Sequence, residues 1–158
     1  MADARFEDGA ESPLYLGAED AEDLKILAAL VQDAVFPITE MTYQRQRREF
    51  ALLLNRFRWE DRETADRAGR GYERVRAGLL IRDVLAVRSQ GIDRAAQSTI
   101  LSLLDISFAP GADGTGTLTL TLAGDGAIAL DVETLDVTLR DVTRPYLAPS
   151  RKAPDHGP

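Results

Sequence analysis

The chain begins with a helical period and continues with an alternating one. Leu24, Leu27, Ala28, Val31, Ala34 and Val35 recur at the spacing that puts them on one face of a helix. Asp20 can cap that helix. Glu22 and Asp23 sit in its first turn, where the dipole favours carboxylates, and Pro37 stops it. The pattern predicts a helix over about 20–35 whose wide apolar stripe lies against a sheet. From Thr39 the period shortens to two, the side-chain repeat of a strand. "EMTYQRQ" alternates, Gln46 to Arg48 can turn, and "EFALLLNRFRWE" returns. Residues 61–71, "DRETADRAGRG", are polar with two glycines and predict a mobile loop. "YERVRAGLLI" and "VLAVRSQ" predict a hairpin bent at Arg82 and Asp83. After a connection over 91–98, "TILSLLDISF" predicts a strand with Leu104, Ile106 and Phe108 on one face.

The clearest alternation is "TLTLTL", with Leu118, Leu120 and Leu122 on one side and three threonines on the other. "AGDG" predicts a tight turn that uses Gly124 and Gly126 for positive φ, and "AIALDV" returns with Ile128, Leu130 and Val132 inward. In "ETLDVTLRDV", Leu135, Val137 and Leu139 alternate as in a strand, yet Val132, Leu135, Leu139 and Val142 also fit a helix. Valine and threonine favour the strand. The expected fold is α+β and mainly β. One N-terminal helix packs on a bent antiparallel sheet or small barrel of seven or eight strands, so that edges are covered. That arrangement resembles the pleckstrin-homology-like architecture, in which the helix comes last. Residues 1–12 predict a disordered acidic segment, 13–143 one domain, and 144–158 an extended tail holding four of the seven prolines.

Charge adds a second pattern to this frame. The net charge of −7 divides into −8 over residues 1–40, +5 over 41–100, −6 over 101–143 and +2 over the tail. The basic and acidic blocks are expected to pair across the fold. With 158 residues, 44% of them apolar, the chain can build one core. Its longest apolar runs, such as Leu27 to Val31, are far too short to cross a bilayer. "MADARFEDGAES" lacks a basic-then-apolar signal, which points to the cytoplasm and away from membranes. There is no cysteine, which removes disulfides, thiolate nucleophiles and cysteine metal sites.

Catalytic chemistry is correspondingly narrow. The single histidine, His156, lies in the proline-rich tail, where nothing rigid positions a general base. "GADGTG" (111–116) lacks the lysine of a phosphate loop and joins two strands, so it reads as a hairpin loop. Asp131, Glu133 and Asp136 could hold a hard cation or act in hydrolysis, or could form a solvated strand face. No nucleophile, base and positioning group come together, so neither an enzyme nor a cofactor is expected.

The segment "FALLLNRFRWED" (50–61) carries the sharpest question. Phe50, Leu52 and Leu54 share a strand face with Arg56 and Arg58, while Leu53 shares the other with Asn55, Phe57 and Trp59. The buried face is expected to switch near Asn55, through a bulge or a strand that leaves the core. The functional reading is a surface of arginines beside aromatics, which stack bases or anchor protein contacts. Its candidate residues are Arg45, Arg47, Arg48, Arg56, Phe57, Arg58 and Trp59, with Arg74, Arg76 and Arg82 extending it. Trp59 is expected to be partly exposed.

"AEDLKILAALVQDAV", "FALLLNRFRWED", "RVRAGLLIRDVLAVRSQGID", "ILSLLDISFAP" and "IALDVETLDVTLRDV" together resemble an uncharacterised alphaproteobacterial family, number 2948 in the series of domains of unknown function. The resemblance covers nearly everything after about residue 14. It implies a compact intracellular bacterial protein and brings no activity, cofactor or site residue. The expected function is a non-enzymatic, cytoplasmic module that binds another protein. A small-ligand barrel, an unrecognised carboxylate enzyme and an RNA-associated protein are the alternatives.

Overall fold

Residues 13–93, 95–148 and 154 are described by the computed structural model. The expectations for residues 1–12, for His156 and for most of the tail lie outside these. In chain order the elements are β1 (Tyr15–Ala18), α1 (Ala21–Leu30), β2 (Val35–Pro37), β3 (Met41–Gln44), β4 (Glu49–Phe57) and α2 (Arg62–Ala68). There follow β5 (Glu73–Ile81), β6 (Val84–Gln90), β7 (Ile100–Pro110), β8 (Gly116–Leu122), β9 (Ala127–Val132), β10 (Val137–Asp141) and β11 (Tyr146–Leu147). All pairings are antiparallel, in the order β1-β10-β5-β4-β2-β7-β8-β9-β6. β3 pairs β4 and β11 pairs β5. The sheet is open, ending at β1 and β6. One core unites its two halves: Leu52, Leu79 and Leu139 from one, Leu118 and Leu130 from the other, and Leu27 from α1.

The mainly β, antiparallel expectation holds at this level. The expected count of seven or eight strands becomes eleven among the described residues, and the single helix becomes two, with β1 ahead of the first. α1 starts where expected, its Asp20 carboxylate accepting from the Asp23 N–H at 2.8 Å. It ends at Leu30, although Val31 and Ala34 are as buried as the helical residues. The reason is a competing partner. The Asp33 N–H donates to the Leu103 carbonyl at 2.7 Å, and the Leu103 N–H to the Ala34 carbonyl at 2.8 Å, so β7 draws the chain into the sheet.

Residues 61–71 are not a loop. Arg62–Ala68 is helical, and Gly69 closes it in the left-handed conformation at φ 65°. The signals were an acid at Glu63, a base at Arg67 and that glycine. β5 and β6 do not form a hairpin. β5 lies between β4 and β10, whereas β6 pairs β9. At the bend, Asp83 takes φ 58° and the chain passes from one half of the sheet to the other. In β7 a register shift between Leu103 and Asp105 moves the inward phase, so Leu103 and Ile106 are buried while Leu104 and Phe108 are only partly so. The 123–126 turn places Gly124 and Asp125 at positive φ, not Gly126. Residues 137–141 settle as strand.

Candidate functional site

β4 has no bulge. Its register with β5 runs unbroken from Phe50 opposite Ile81 to Phe57 opposite Arg74. The buried face therefore does not switch at Asn55. Arg56 stays inward behind Phe50, Leu52 and Leu54, with 0% of its surface exposed. A guanidinium there needs counter-charge and a hydrogen bond for each N–H. Asp141 of β10 accepts from Nε at 3.0 Å and Nη2 at 2.9 Å. Glu60 accepts from Nη1 at 2.9 Å and Nη2 at 2.7 Å. Asp141 Oδ2 also accepts the Leu14 N–H at 3.0 Å, so this fork ties the start of β1 to β10, β4 and the turn after β4. Burial pushes the Glu60 carboxyl up, but hydrogen bonding and charge from Arg56 outweigh it and hold it below the usual carboxylate range.

The other face of the same strand end is also covered. Phe57 is buried, and the Trp59 ring meets it edge-on at 4.7 Å, with Tyr72 tilted against it at 5.5 Å. Trp59 is half-buried in a 3-10 turn over Trp59–Asp61, and its Nε1 donates to the Gln32 carbonyl at 3.0 Å. Arg62 lies over the ring at 5.9 Å. Arg58 is buried as well, donating to Glu73 at 2.9 Å with Asp61 at 3.9 Å. Arg70 donates to Asp61 at 2.7 Å and to Glu73 at 3.1 Å. Burial raises the Asp61 carboxyl, yet the Arg70 hydrogen bond and the charges of Arg58 and Arg70 bring it below its ordinary value. Arg56, Phe57 and Arg58 are thus withdrawn from any surface that a partner could read.

Arg45, Arg47 and Arg48 lie in the β3–β4 turn, at the other end of β4. Arg48 and Arg56 are eight positions apart along the strand, roughly 27 Å at the usual rise. The structure therefore splits the expected site into two groups. Arg45 and Arg47 are exposed, and Arg48 (φ 55°) donates to Glu133 at 2.6 Å. Of the extending residues, Arg74 donates to the Asn55 side chain at 2.6 Å and Arg82 reaches Asp136 at 3.5 Å, while Arg76 is exposed. The carboxylates are each taken: Asp131 by Arg88 at 2.7 Å and Thr117 at 3.1 Å, Glu133 by Arg48, Asp136 by Arg82. No cluster of three metal-binding side chains occurs among the described residues. The expected pairing of the basic block with the acidic one is visible in Arg48–Glu133, Arg56–Asp141, Arg82–Asp136 and Arg88–Asp131.

Two surfaces carry the remaining chemistry; the sequence pattern points to neither as a surface, although Arg45 and Arg48 of the second are among the expected binding residues. On the outer face of the sheet, Tyr15, Arg140, Gly78 and Leu53 lie in one cross-strand row. Gly17, Thr138, Leu80, Ala51 and Thr42 form the next. Leu53 and Leu80 are only partly covered, and Tyr15 and Val142 are 67% and 55% exposed. The sequence signal was the unbroken runs "FALLL" and "GLLI". An alternating strand would place polar residues at 53 and 80. The second surface is a crevice of about 900 Å³ between β3 and β6, floored by Ile38, Phe50 and Ile128 with Arg45 and Arg48 among its lining.

A family model described as a protein of unknown function, DUF2948, matches residues 14–156. The chain belongs to the DUF2948 family. Neither a curated protein nor a solved structure matches it. In this DUF2948 chain no helix among the described residues is long and apolar enough to cross a membrane. The titratable groups drawn together inside it are arginine–carboxylate clusters, Arg56 with Asp141 and Glu60, and Arg58 and Arg70 with Asp61 and Glu73. Its two open surfaces carry arginines beside apolar side chains.

Proposed function

We propose that this DUF2948 protein is a non-catalytic, cytoplasmic binding module that docks another protein on the outer face of β1, β10, β5 and β4. The supporting observation is the uncovered centre of that face. Leu53, Leu80 and Ala51 surround Gly78, above which a Cβ would meet nothing within 4 Å, so an open slot lies among apolar side chains. Arg140 stands directly across from Gly78, and Arg76 sits two residues before it on the same side of β5. Neither arginine side chain pairs with a described residue. A partner that seats an apolar side chain in the slot and carries acidic neighbours fits both features, in keeping with interfaces built on a buried anchor and a charged rim. The nucleic-acid reading has less support, because Arg56, Phe57 and Arg58 are enclosed.

The test is affinity capture from the native cell with wild-type protein and Gly78→Tyr. The glycine is not at positive φ and the space above it is open, so the tyrosine fills the slot without strain. Loss of one specific partner with Gly78→Tyr, at an unchanged melting temperature, supports the reading. The same partners with both proteins, or no partner together with turnover of a metabolite by the purified chain, would overturn it.

A further inference from the structure

The crevice between β3 and β6 is a different place with different chemistry. Among the described residues both strands lack a ladder partner on the side that faces it: β3 pairs β4 alone, and β6 pairs β9 alone. At one end the two are pinned together. The Val84 N–H donates to the Arg48 carbonyl at 2.9 Å, and the Tyr43 hydroxyl donates to the Val84 carbonyl at 2.9 Å. Ile92 and Gln97 line the crevice from the 91–99 connection, which is fastened where the Ile38 N–H donates to the Thr99 carbonyl at 3.0 Å. A through-running strand would have to break these contacts, whereas a compact molecule would not. The volume of about 900 Å³ is within the roughly 300–1,000 Å³ of small-molecule sites.

Charge selects the occupant. Of the sixteen described lining residues two are arginines and none is an acid, in a chain whose net charge is −7. Arg48 shares its guanidinium with Glu133 at 2.6 Å, while Arg45 pairs with no described residue. Ile38, Phe50 and Ile128 on the floor are almost fully buried, and Leu85, also in the lining, is 49% exposed. Partly covered apolar side chains beside two exposed guanidinium groups suit a molecule with an apolar body and one anionic head, since charge-assisted hydrogen bonds from guanidinium favour carboxylate or phosphate oxygens. We infer that the crevice binds a small, freely diffusing amphipathic anion, its head held by Arg45 and Arg48 and its body laid on Met41, Val87 and Ile92, the partly covered apolar side chains of the lining. The core-facing leucines of β8 and β9 play no part, because Leu118, Leu120 and Leu130 are packed with 0% exposure.

Titration calorimetry on the full chain tests this with three probes that share a ten-carbon tail: decanoate, decanol and decyltrimethylammonium. Decanoate should saturate at one per chain and bind about tenfold more tightly than decanol, the worth of one hydrogen bond to a charged group. The cationic probe should not bind. Arg45→Gln should weaken decanoate about tenfold and leave decanol unchanged. Ser89→Trp, an exposed lining position, should abolish binding while circular dichroism and melting stay as in the wild type. Gly78→Tyr should leave decanoate binding intact, which separates this site from the outer face. Equal affinity for all three heads, an unaffected Arg45→Gln, or a folded Ser89→Trp protein that still binds would each overturn the inference. So would binding of an extended acidic peptide there with none of decanoate.

Discussion

Asp141→Asn should unbalance the centre of the fold at almost constant shape. The wild-type carboxylate accepts two hydrogen bonds from Arg56 and one from the Leu14 N–H. Asparagine keeps one acceptor oxygen and presents an amide N–H₂ toward a guanidinium that can only donate. Breaking one side of a buried pair costs about 3–5 kcal/mol, because the remaining charge is left uncompensated. Glu60 still holds Arg56 through two bonds, so the loss falls at the lower limit, about 3 kcal/mol. Glu60 is one-third exposed, so Glu60→Gln should cost less, about 1 kcal/mol. The double change Arg56→Met with Asp141→Leu removes both charges together. It should cost less than Asp141→Asn alone, about 1–2 kcal/mol for the stranded Leu14 N–H and the unpaired Glu60. Urea unfolding followed by Trp59 emission measures all three against wild type, with equal m-values as the control. An Asp141→Asn loss under about 1 kcal/mol, or a double variant less stable than the single one, would refute the view of this pair as a charge held by its partner.

The folded-state carboxyls of Glu60 and Asp61 lie below their ordinary values of 4.5 and 3.8, so the stability they lend is complete above those values and is lost as pH falls through and below them. Urea midpoints should therefore be level from neutrality down to about pH 5.5 and decline below about pH 4.5, and a rise in that acid range would contradict the pairing. Trp59→Ala should cost about 2 kcal/mol, short of a fully buried ring, and acrylamide should quench the native emission in part; quenching as complete as for free tryptophan would show the ring is not packed on Phe57. Gly116→Ala should destabilise by about 2 kcal/mol, because its Cβ would come 2.5 Å from the Phe108 ring and 2.6 Å from the Ala109 carbonyl. Gly78→Ala, facing open space, should be neutral or gain about 0.5 kcal/mol, and similar losses at the two glycines would show that local space does not decide the difference.

What the sequence conveyed well was local periodicity. "TLTLTL" and "AIALDV" form a hairpin with Leu118, Leu120, Ile128 and Leu130 buried as their alternation requires. The α1 stripe was legible too, but its end was not, because a pairing with Leu103 some seventy residues away outcompetes about one and a half further helical turns. Partner choice is likewise invisible locally, so the pattern predicts a β5–β6 hairpin although each strand has other neighbours. The burial of Arg56 was hidden for a related reason. An arginine on an apolar strand face looks like a surface residue until its counter-charge is known, and that counter-charge, Asp141, lies 85 residues on. The two surfaces that do remain open depend on which strands end the sheet and which faces go uncovered, properties of topology rather than of any one segment.

The pairing of β1 with β10 has a consequence in time. Tyr15 lies opposite Arg140, so the first strand waits for about 125 further residues before its partner exists. At a synthesis rate of about 5–20 residues per second, that wait is roughly 6–25 s. During it α1 has no strand to hold its leading end, and Arg56 has no Asp141. A strand of four residues is a poor template for a neighbouring nascent chain, so its shortness guards an interval in which it cannot yet be paired. Completion of the fold is thus tied to the emergence of β10. Chains arrested on the ribosome before Asp141 should be cut readily by protease across β4 and β5, and chains a few residues past the exit of Asp141 should resist.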